Sequence, residues 1–400
     1  MRSSQTKTTF TRRAVLLGMV GSVAQLSGCG GGGGGGSDVA GLSSGGTGSF
    51  TSGTISGLGS IIVNGIRYND DNATVISRDD GTPFANPLKV GMVVSIQGSP
   101  VTAATTTNGT ATATATRISC SSEWEGPVSN ITGSSFDILG LTVDVLTSTV
   151  FEGAATQLTD LNTSYFAEVH GYVDQTTGHL QATHIEAFTT SPTFYKLSGV
   201  VNNLNASNHT FQLGTAQVSN AISWDNNTAI PTNWSNGVFV RVTMTPSLLA
   251  TQIRLLTSPL AQLGAQEDHD AEIHGFISAY QSNANFTVNG IPVDASSARI
   301  AGGTLRLGVR VEIHGSISNG VLIASKVETP SNTDEATHEF EFHGTVSALS
   351  AQTFELHGLT FQYNNSTDIQ GVTMANDTPI QINAIRSSGA WLATKIRADD

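Results

Sequence analysis

The sequence predicts an all-β chain of tandem small barrels, and three observations point there. A hairpin recurs five times, a glycine-led strand precedes each copy at near-constant spacing, and helical periodicity is scarce across the 400 residues. The hairpin reads "IIVNGIRY" at 61, "FDILGLTV" at 136, "FQLGTAQV" at 211, "FTVNGIPV" at 286 and "FELHGLTF" at 354. Its leading glycines, Gly53, Gly126, Gly199, Gly275 and Gly344, stand 73, 73, 76 and 69 residues apart.

Each hairpin has a two-residue turn flanked by apolar residues that should pair across the ladder. Val63 is expected opposite Ile66 and Ile61 opposite Tyr68; Val288 faces Ile291 and Phe286 faces Val293 in the same way. Asn-Gly at 64 and 289 suits a type I′ turn, which needs positive φ at both central residues. Two more strands follow each hairpin, with alternating segments such as "LGVRVEIHG" at 307 and closing segments such as "LQATHIEA" at 180 and "WLATKIRA" at 391. A unit of about 70 residues with five or six short strands removes its edges by closing. An OB-like barrel fits that count, with an SH3-like barrel as the alternative and room for a short helix in "EGAATQLTDL" at 152.

Taken in chain order, the expected organisation begins with a signal peptide at 1–28 and a tether at 29–48. Barrel repeats follow at 49–121, 122–190, 193–258, 270–329 and 337–400. Arg2, Lys7, Arg12 and Arg13 give a cationic start, and "AVLLGMVGSVAQL" is an apolar run too short to span a bilayer. "LSGC" then resembles the lipobox of bacterial lipoproteins, which implies cleavage before Cys29 and lipidation of that cysteine. "TRRAVLLG" resembles a twin-arginine signal, so export by either the Tat or the Sec route is compatible with the segment. Gly30 in place of Asp after the cysteine implies sorting to the outer membrane, facing the periplasm or the exterior. The run Gly30–Gly36 and the Ser/Gly/Thr-rich residues after it form a flexible tether.

Charge and cysteine content narrow the partners. Cleavage would remove four of the 18 Lys and Arg and no acid, leaving 14 cations against 31 acidic residues, a net charge of −17. Such a chain, with no basic cluster, is not expected to bind nucleic acid. With Cys29 acylated, Cys120 has no disulfide partner and is expected to be a buried, inert thiol.

"GTISGLGSIIVNGIRY", then a VGxxVxIxG segment, then LxATxI, behind a glycine tether, resembles the bacterial family called domain of unknown function 5666. The resemblance covers 49–400 as tandem copies. It implies small β-barrels and an envelope location, and no activity or catalytic residues.

One pattern invites chemistry. Glu-apolar-His-Gly occurs at 168, 272, 312, 341 and 355, and a carboxylate and imidazole two residues apart on a strand share a face. The copies fall at three different places in the repeat, however. Glu272/His274 and Glu341/His343 lie on the leading strand, Glu168/His170 and Glu312/His314 on the fourth, and His357 in the hairpin turn. Positions equivalent to Glu312 and His314 hold Ser95 and Gln97, Arg241 and Thr243, or Gln381 and Asn383, as on an outward polar face. Only the fourth repeat carries the pair on both strands. Glu272, His274, Glu312 and His314 would then converge as a set suited to Zn²⁺ or Cu²⁺, with His269 near enough to join. His170, His179 and His184 read as solvated surface.

No nucleophile elbow, His-Glu-x-x-His pair, phosphate loop or cysteine cluster is present, so no catalytic residue is named and no enzyme is expected. The expected role is a non-enzymatic envelope module that binds a protein or glycan, with metal binding through the fourth repeat as the alternative and a hydrolase more distant. Trp124, Trp224, Trp234 and Trp391 are the candidates for an exposed binding patch, Trp124 being the one expected in the core.

Overall fold

Four of the five hairpins form in the expected register, and the returning strand of the third lies outside the described residues. In the structure, a computed structural model, the described residues are 48–105, 109–214, 221–265, 267–329 and 339–399, without the side chains of 267–269. The signal segment, Cys29, the glycine run and the His269 side chain lie outside them. Val63 pairs with Ile66 and Ile61 with Tyr68, and Val288 pairs with Ile291 and Phe286 with Val293. Asn64 and Asn289 adopt φ of 51° and 50°, and His357 fills the same place at 51°. The side chains of Asn64, Asn289 and His357 fold back over Gly53, Gly275 and Gly344, where a Cβ would collide with them. Asn64 and Asn289 donate to the Ser52 and His274 carbonyls, so the leading glycine and the turn residue are one device.

The first stretch holds β1 (Gly48–Leu58), β2 (Ile61–Val63), β3 (Ile66–Asn69), β4 (Thr74–Ser77), β5 (Val93–Gly98) and β6 (Ala111–Cys120). β1 pairs antiparallel with β2, β2 with β3, β3 parallel with β6, and β6 returns through β5 to β1. That closed circuit, with its parallel seam between the third and last strands, is the OB-like arrangement. The second stretch repeats it with β7 (Trp124–Ser129), β8 (Ser135–Ile138), β9 (Leu141–Gly153), β10 (Phe166–Val173) and β11 (Leu180–Phe188).

The third stretch comprises, among the described residues, β12 (Tyr195–Asn205), β13 (Thr210–Leu213), β14 (Ile222–Ser223), β15 (Phe239–Met244) and β16 (Ala250–Leu255), with parallel bridges at Ser223–Leu249 and Ala229–Gln252. A short helix, α1 (Pro259–Leu263), follows. The fourth closes fully through β17 (Glu267–Ser282), β18 (Asn285–Val288), β19 (Ile291–Asp294), β20 (Arg299–Ala301), β21 (Arg310–Ser318) and β22 (Val321–Glu328). The last contains β23 (Phe340–Thr345), β24 (Thr353–Leu356), β25 (Leu359–Gln362), β26 (Asp368–Gln370), β27 (Pro379–Ser387) and β28 (Ala390–Ala398), with a single Ser347–Glu355 bridge joining its hairpin to the leading side. Where a helix was expected after the third strand, β4, β20 and β26 instead run parallel to the closing strand; only a 3-10 turn at Leu158–Asp160 stands there in the second stretch.

Cys120 is fully buried, and desolvation pushes its thiol up to about 12, in keeping with an inert core residue. The tryptophans are not a surface patch. Trp124, Trp224 and Trp391 are buried and Trp234 is half-buried. Trp224 and Trp234 meet edge to face at 5.0 Å, and Trp391 packs against Phe340 at 5.1 Å. Their large apolar area fills cores that short strands would otherwise leave thin.

The barrels share edges and polar faces. β1 runs parallel to β17, with Thr51 beside Glu272, and at its other end parallel to β23, with Gly57 beside Glu341. Gly57 has no room for a Cβ, because the Glu341 carbonyl lies where that atom would stand. Arg241, expected outward and solvated, is 4% exposed. It points away from its own barrel, as the alternation requires, and into an ion-pair network with Asp79 of the first stretch and Glu123 of the second. Arg78 reaches Glu123 at 3.2 Å, and Lys196 reaches Asp79 at 3.0 Å. Burial alone would raise the two carboxyls; Arg241, with Lys196 beside Asp79 and Arg78 beside Glu123, holds both below the ordinary range.

Gly57→Ala should therefore cost about 2–3 kcal/mol in urea unfolding, because one methyl forces two backbones apart. A loss below about 0.5 kcal/mol would show that β1 and β23 do not pair.

Candidate functional site

The Glu-apolar-His pairs of the fourth stretch are brought together by register. On β17 and β21, Glu272 pairs with His314 and His274 with Glu312, while Ile273 and Ile313 between them are buried in the barrel. Each carboxylate thus faces an imidazole on the outward side. His274 Nε2 lies 3.1 Å from Glu272 Oε1 and 3.0 Å from Glu312 Oε1. His314 is farther, with Nδ1 at 3.8 Å from Glu272 and Nε2 at 3.9 Å from Glu312. One donor atom each from Glu272, His274 and Glu312 lies within 4.8 Å of the others.

This face is only partly open, because β1 lies alongside Glu272. Burial by itself would lower the His274 pKa, but hydrogen bonds and charge from both carboxylates raise it to about 9. The hydrogen bond from His274, against a smaller effect of burial, brings Glu312 down to about 2. Without a metal, the arrangement is an imidazolium clamped by two carboxylates.

The Glu341/His343 pair fastens one barrel to another. His343 lies 2.7 Å from Glu341 and 2.6 Å from Asp399, and Glu341 accepts from Thr110 of the first stretch at 2.6 Å. His357 donates from Nε2 to the His343 carbonyl at 2.6 Å, which explains its place in the turn. His170 and His184, expected in solvent, are 1% and 0% exposed, because their outward face is covered by the first barrel. His179 sits at a turn as expected, half-exposed and 3.0 Å from Asp144.

A second convergence escaped the sequence. Glu152, His184 and Glu186 also bring one donor atom each within 4.8 Å of one another. Burial, with a smaller contribution from His170, lowers the His184 pKa to about 4, so its imidazole is neutral at neutral pH. All three residues lie on the paired strands β9 and β11 of one barrel, where sequence alternation had placed His184 in solvent.

A cleft of about 610 Å³ lies between the first and third stretches. Arg78, Arg117, Arg241 and Arg254 line it, with Asp79 and Asp80, and Ile230 and Leu255 are exposed at its wall. Asp79 is paired with Arg241 and Lys196, and Asp80 accepts from Thr82. Arg117 and Arg254 each donate from Nη1 to a backbone carbonyl, at 3.3 and 2.8 Å.

The model of the family described as "Domain of unknown function (DUF5666)" matches residues 51–119, 125–186, 274–328 and 343–397, together more than half of the chain. The third stretch is outside those matches. No curated protein matches. Among solved structures, a chain described as "drosophila Unr CSD456" is similar at 12% identity, the match covering 52% of this chain and 98% of that one, with a TM-score of 0.14. At that score the fold rests on the strand pairing itself.

The His274 cluster has a defined pH signature. A pKa raised from 6.5 to about 9 gives stabilisation that is full below pH 6.5 and is lost as pH rises through 9. A Glu312 pKa lowered from 4.5 to about 2 gives stabilisation present above pH 4.5 and lost as pH falls toward 2. His274→Gln should therefore destabilise most between those limits, by on the order of 2 kcal/mol after allowing for solvent screening, and by much less above pH 9. Thermal melts across pH check this; a penalty unchanged from pH 5 to pH 10 would contradict the clamp.

Proposed function

Because the chain belongs to the DUF5666 family, whose function is unknown, we propose from its own geometry a non-enzymatic role: a lipid-anchored envelope protein that binds an oxyanion-bearing envelope ligand. The observation that carries this reading is the four-arginine cleft in a chain of net charge −13 before processing. Its volume lies within the range of ordinary ligand pockets. Arg117 and Arg254 keep guanidinium donors for carboxylate, sulfate or phosphate oxygens, and Ile230 and Leu255 supply apolar contact beside them. Cys29 and the glycine run would hold the barrels at a membrane surface within reach of such material.

Two tests follow. A chain this acidic has no general reason to bind an anionic matrix, so retention of the full-length protein on immobilised dextran sulfate at low salt reads the cleft directly. Retention is expected, with loss in Arg117→Gln/Arg254→Gln; equal flow-through of both proteins would overturn the ligand reading. Separately, Cys29→Ser should move the protein from the membrane fraction to the soluble one, and unchanged membrane association would overturn the anchor.

A second reading, transition-metal binding, is favoured by the convergence of Glu272, His274, Glu312 and His314. Mixed imidazole and carboxylate donors suit Zn²⁺ or Cu²⁺. Calorimetric titration should show one equivalent of Zn²⁺ more than His274→Ala/His314→Ala binds; identical zinc binding by both proteins would leave the group as an ion-pair clamp.

A further inference from the structure

We propose that Glu152, His184 and Glu186 form a zinc site at the seam between the first and second stretches, and that Lys89 holds its place when no metal is bound.

The geometry begins with register. In the parallel pairing of β9 with β11, Glu152 lies directly beside Glu186, and His184 stands two residues before Glu186 on the same strand face. Glu152 and Glu186 sit on one outward patch of the second barrel, and the loop carrying Lys89, Val90 and Gly91 closes over it. Gly91 makes that closure possible: its φ is 88°, and a Cβ there would collide with the Thr183 carbonyl.

The loop also orients the imidazole. His184 Nδ1 donates to the Val90 carbonyl at 2.8 Å, which fixes the tautomer and leaves the Nε2 lone pair unused. Nε2 is buried without a hydrogen-bond partner. An unpaired buried acceptor is costly, and a backbone carbonyl orienting the far ring nitrogen is the support that metal-bound histidines commonly have.

A cation already occupies the place between the carboxylates. Lys89 Nζ lies 2.7 Å from Glu152 Oε2 and 3.0 Å from Glu186 Oε2. An ammonium satisfies those two oxygens but has no lone-pair interaction to offer Nε2 unless it turns a proton toward it, and no such bond is made. Zinc bonds to all three. Its tetrahedral ligands stand roughly 3.3 Å apart; one ring nitrogen of His184 and one oxygen of each carboxylate already lie within 4.8 Å of one another, so side-chain rotation can bring Nε2 and both carboxylates onto the ion, with the fourth position left for water. Lys89, one-quarter exposed, has solvent to swing into.

The competition between Lys89 and zinc makes the idea testable. The full-length protein in detergent, carrying His274→Ala/His314→Ala so that the other cluster is silent, is titrated calorimetrically with zinc chloride. One equivalent is expected to bind. Lys89→Met should tighten that binding by about tenfold or more, since no ammonium competes. His184→Gln added to Lys89→Met should abolish the tightened zinc binding, while magnesium should bind neither protein measurably. A plain salt bridge predicts otherwise: Lys89→Met would bind zinc no more tightly, or His184→Gln would leave zinc binding unchanged, and either result overturns the site. Because the dextran sulfate test concerns different residues, its failure would leave this one untouched.

Discussion

Arg241 leaves its own barrel and ends between carboxylates of two others, and much of the arrangement depends on that contact. A guanidinium 4% exposed is tolerated only where its charge is matched, because desolvating an unpaired ion costs several kcal/mol. Asp79 and Glu123 supply the match, with Arg78 and Lys196 completing the network. Such a network adds little net stability compared with apolar packing, but it penalises any docking that separates its members. The same network shapes the wall of the cleft, so the constraint that orients the barrels also builds the opening proposed to bind ligand.

What the sequence made legible was local. Period-two alternation, Asn-Gly turns and recurring glycines are set by contacts within one unit, and the paired residues Val63–Ile66 and Phe286–Val293 followed directly. The cluster of Glu272, His274, Glu312 and His314 was legible for the same reason, since two neighbouring strands of one barrel bring it together.

Alternation tells which side chains leave a barrel's core; it does not tell whether they enter water. Arg241, His170 and His184 point outward as expected, yet neighbouring barrels cover them. Each covering partner comes from a different repeat and from a loop with no pattern of its own, as with Lys89 to Gly91 over His184. Trp224, Trp234 and Trp391 misled for a related reason, whereas Trp124 is in the core as expected. Short strands give each barrel few core positions, and large rings fill them, so aromatic residues that resembled surface anchors became core. The seams between repeats therefore hold most of the unusual chemistry, as the buried His184 and the arginine cleft illustrate.

The central claim is that outward polar faces are consumed by contacts between barrels, and a double-mutant cycle on Arg241 and Glu123 measures it most directly. Urea unfolding of the parent, Arg241→Met, Glu123→Gln and the double variant yields the coupling between residues of the third and second stretches. A coupling of about 2 kcal/mol or more is predicted for a buried pair in contact. A value within about 0.3 kcal/mol of zero would mean that the two residues face solvent on independent barrels, and the account would fail.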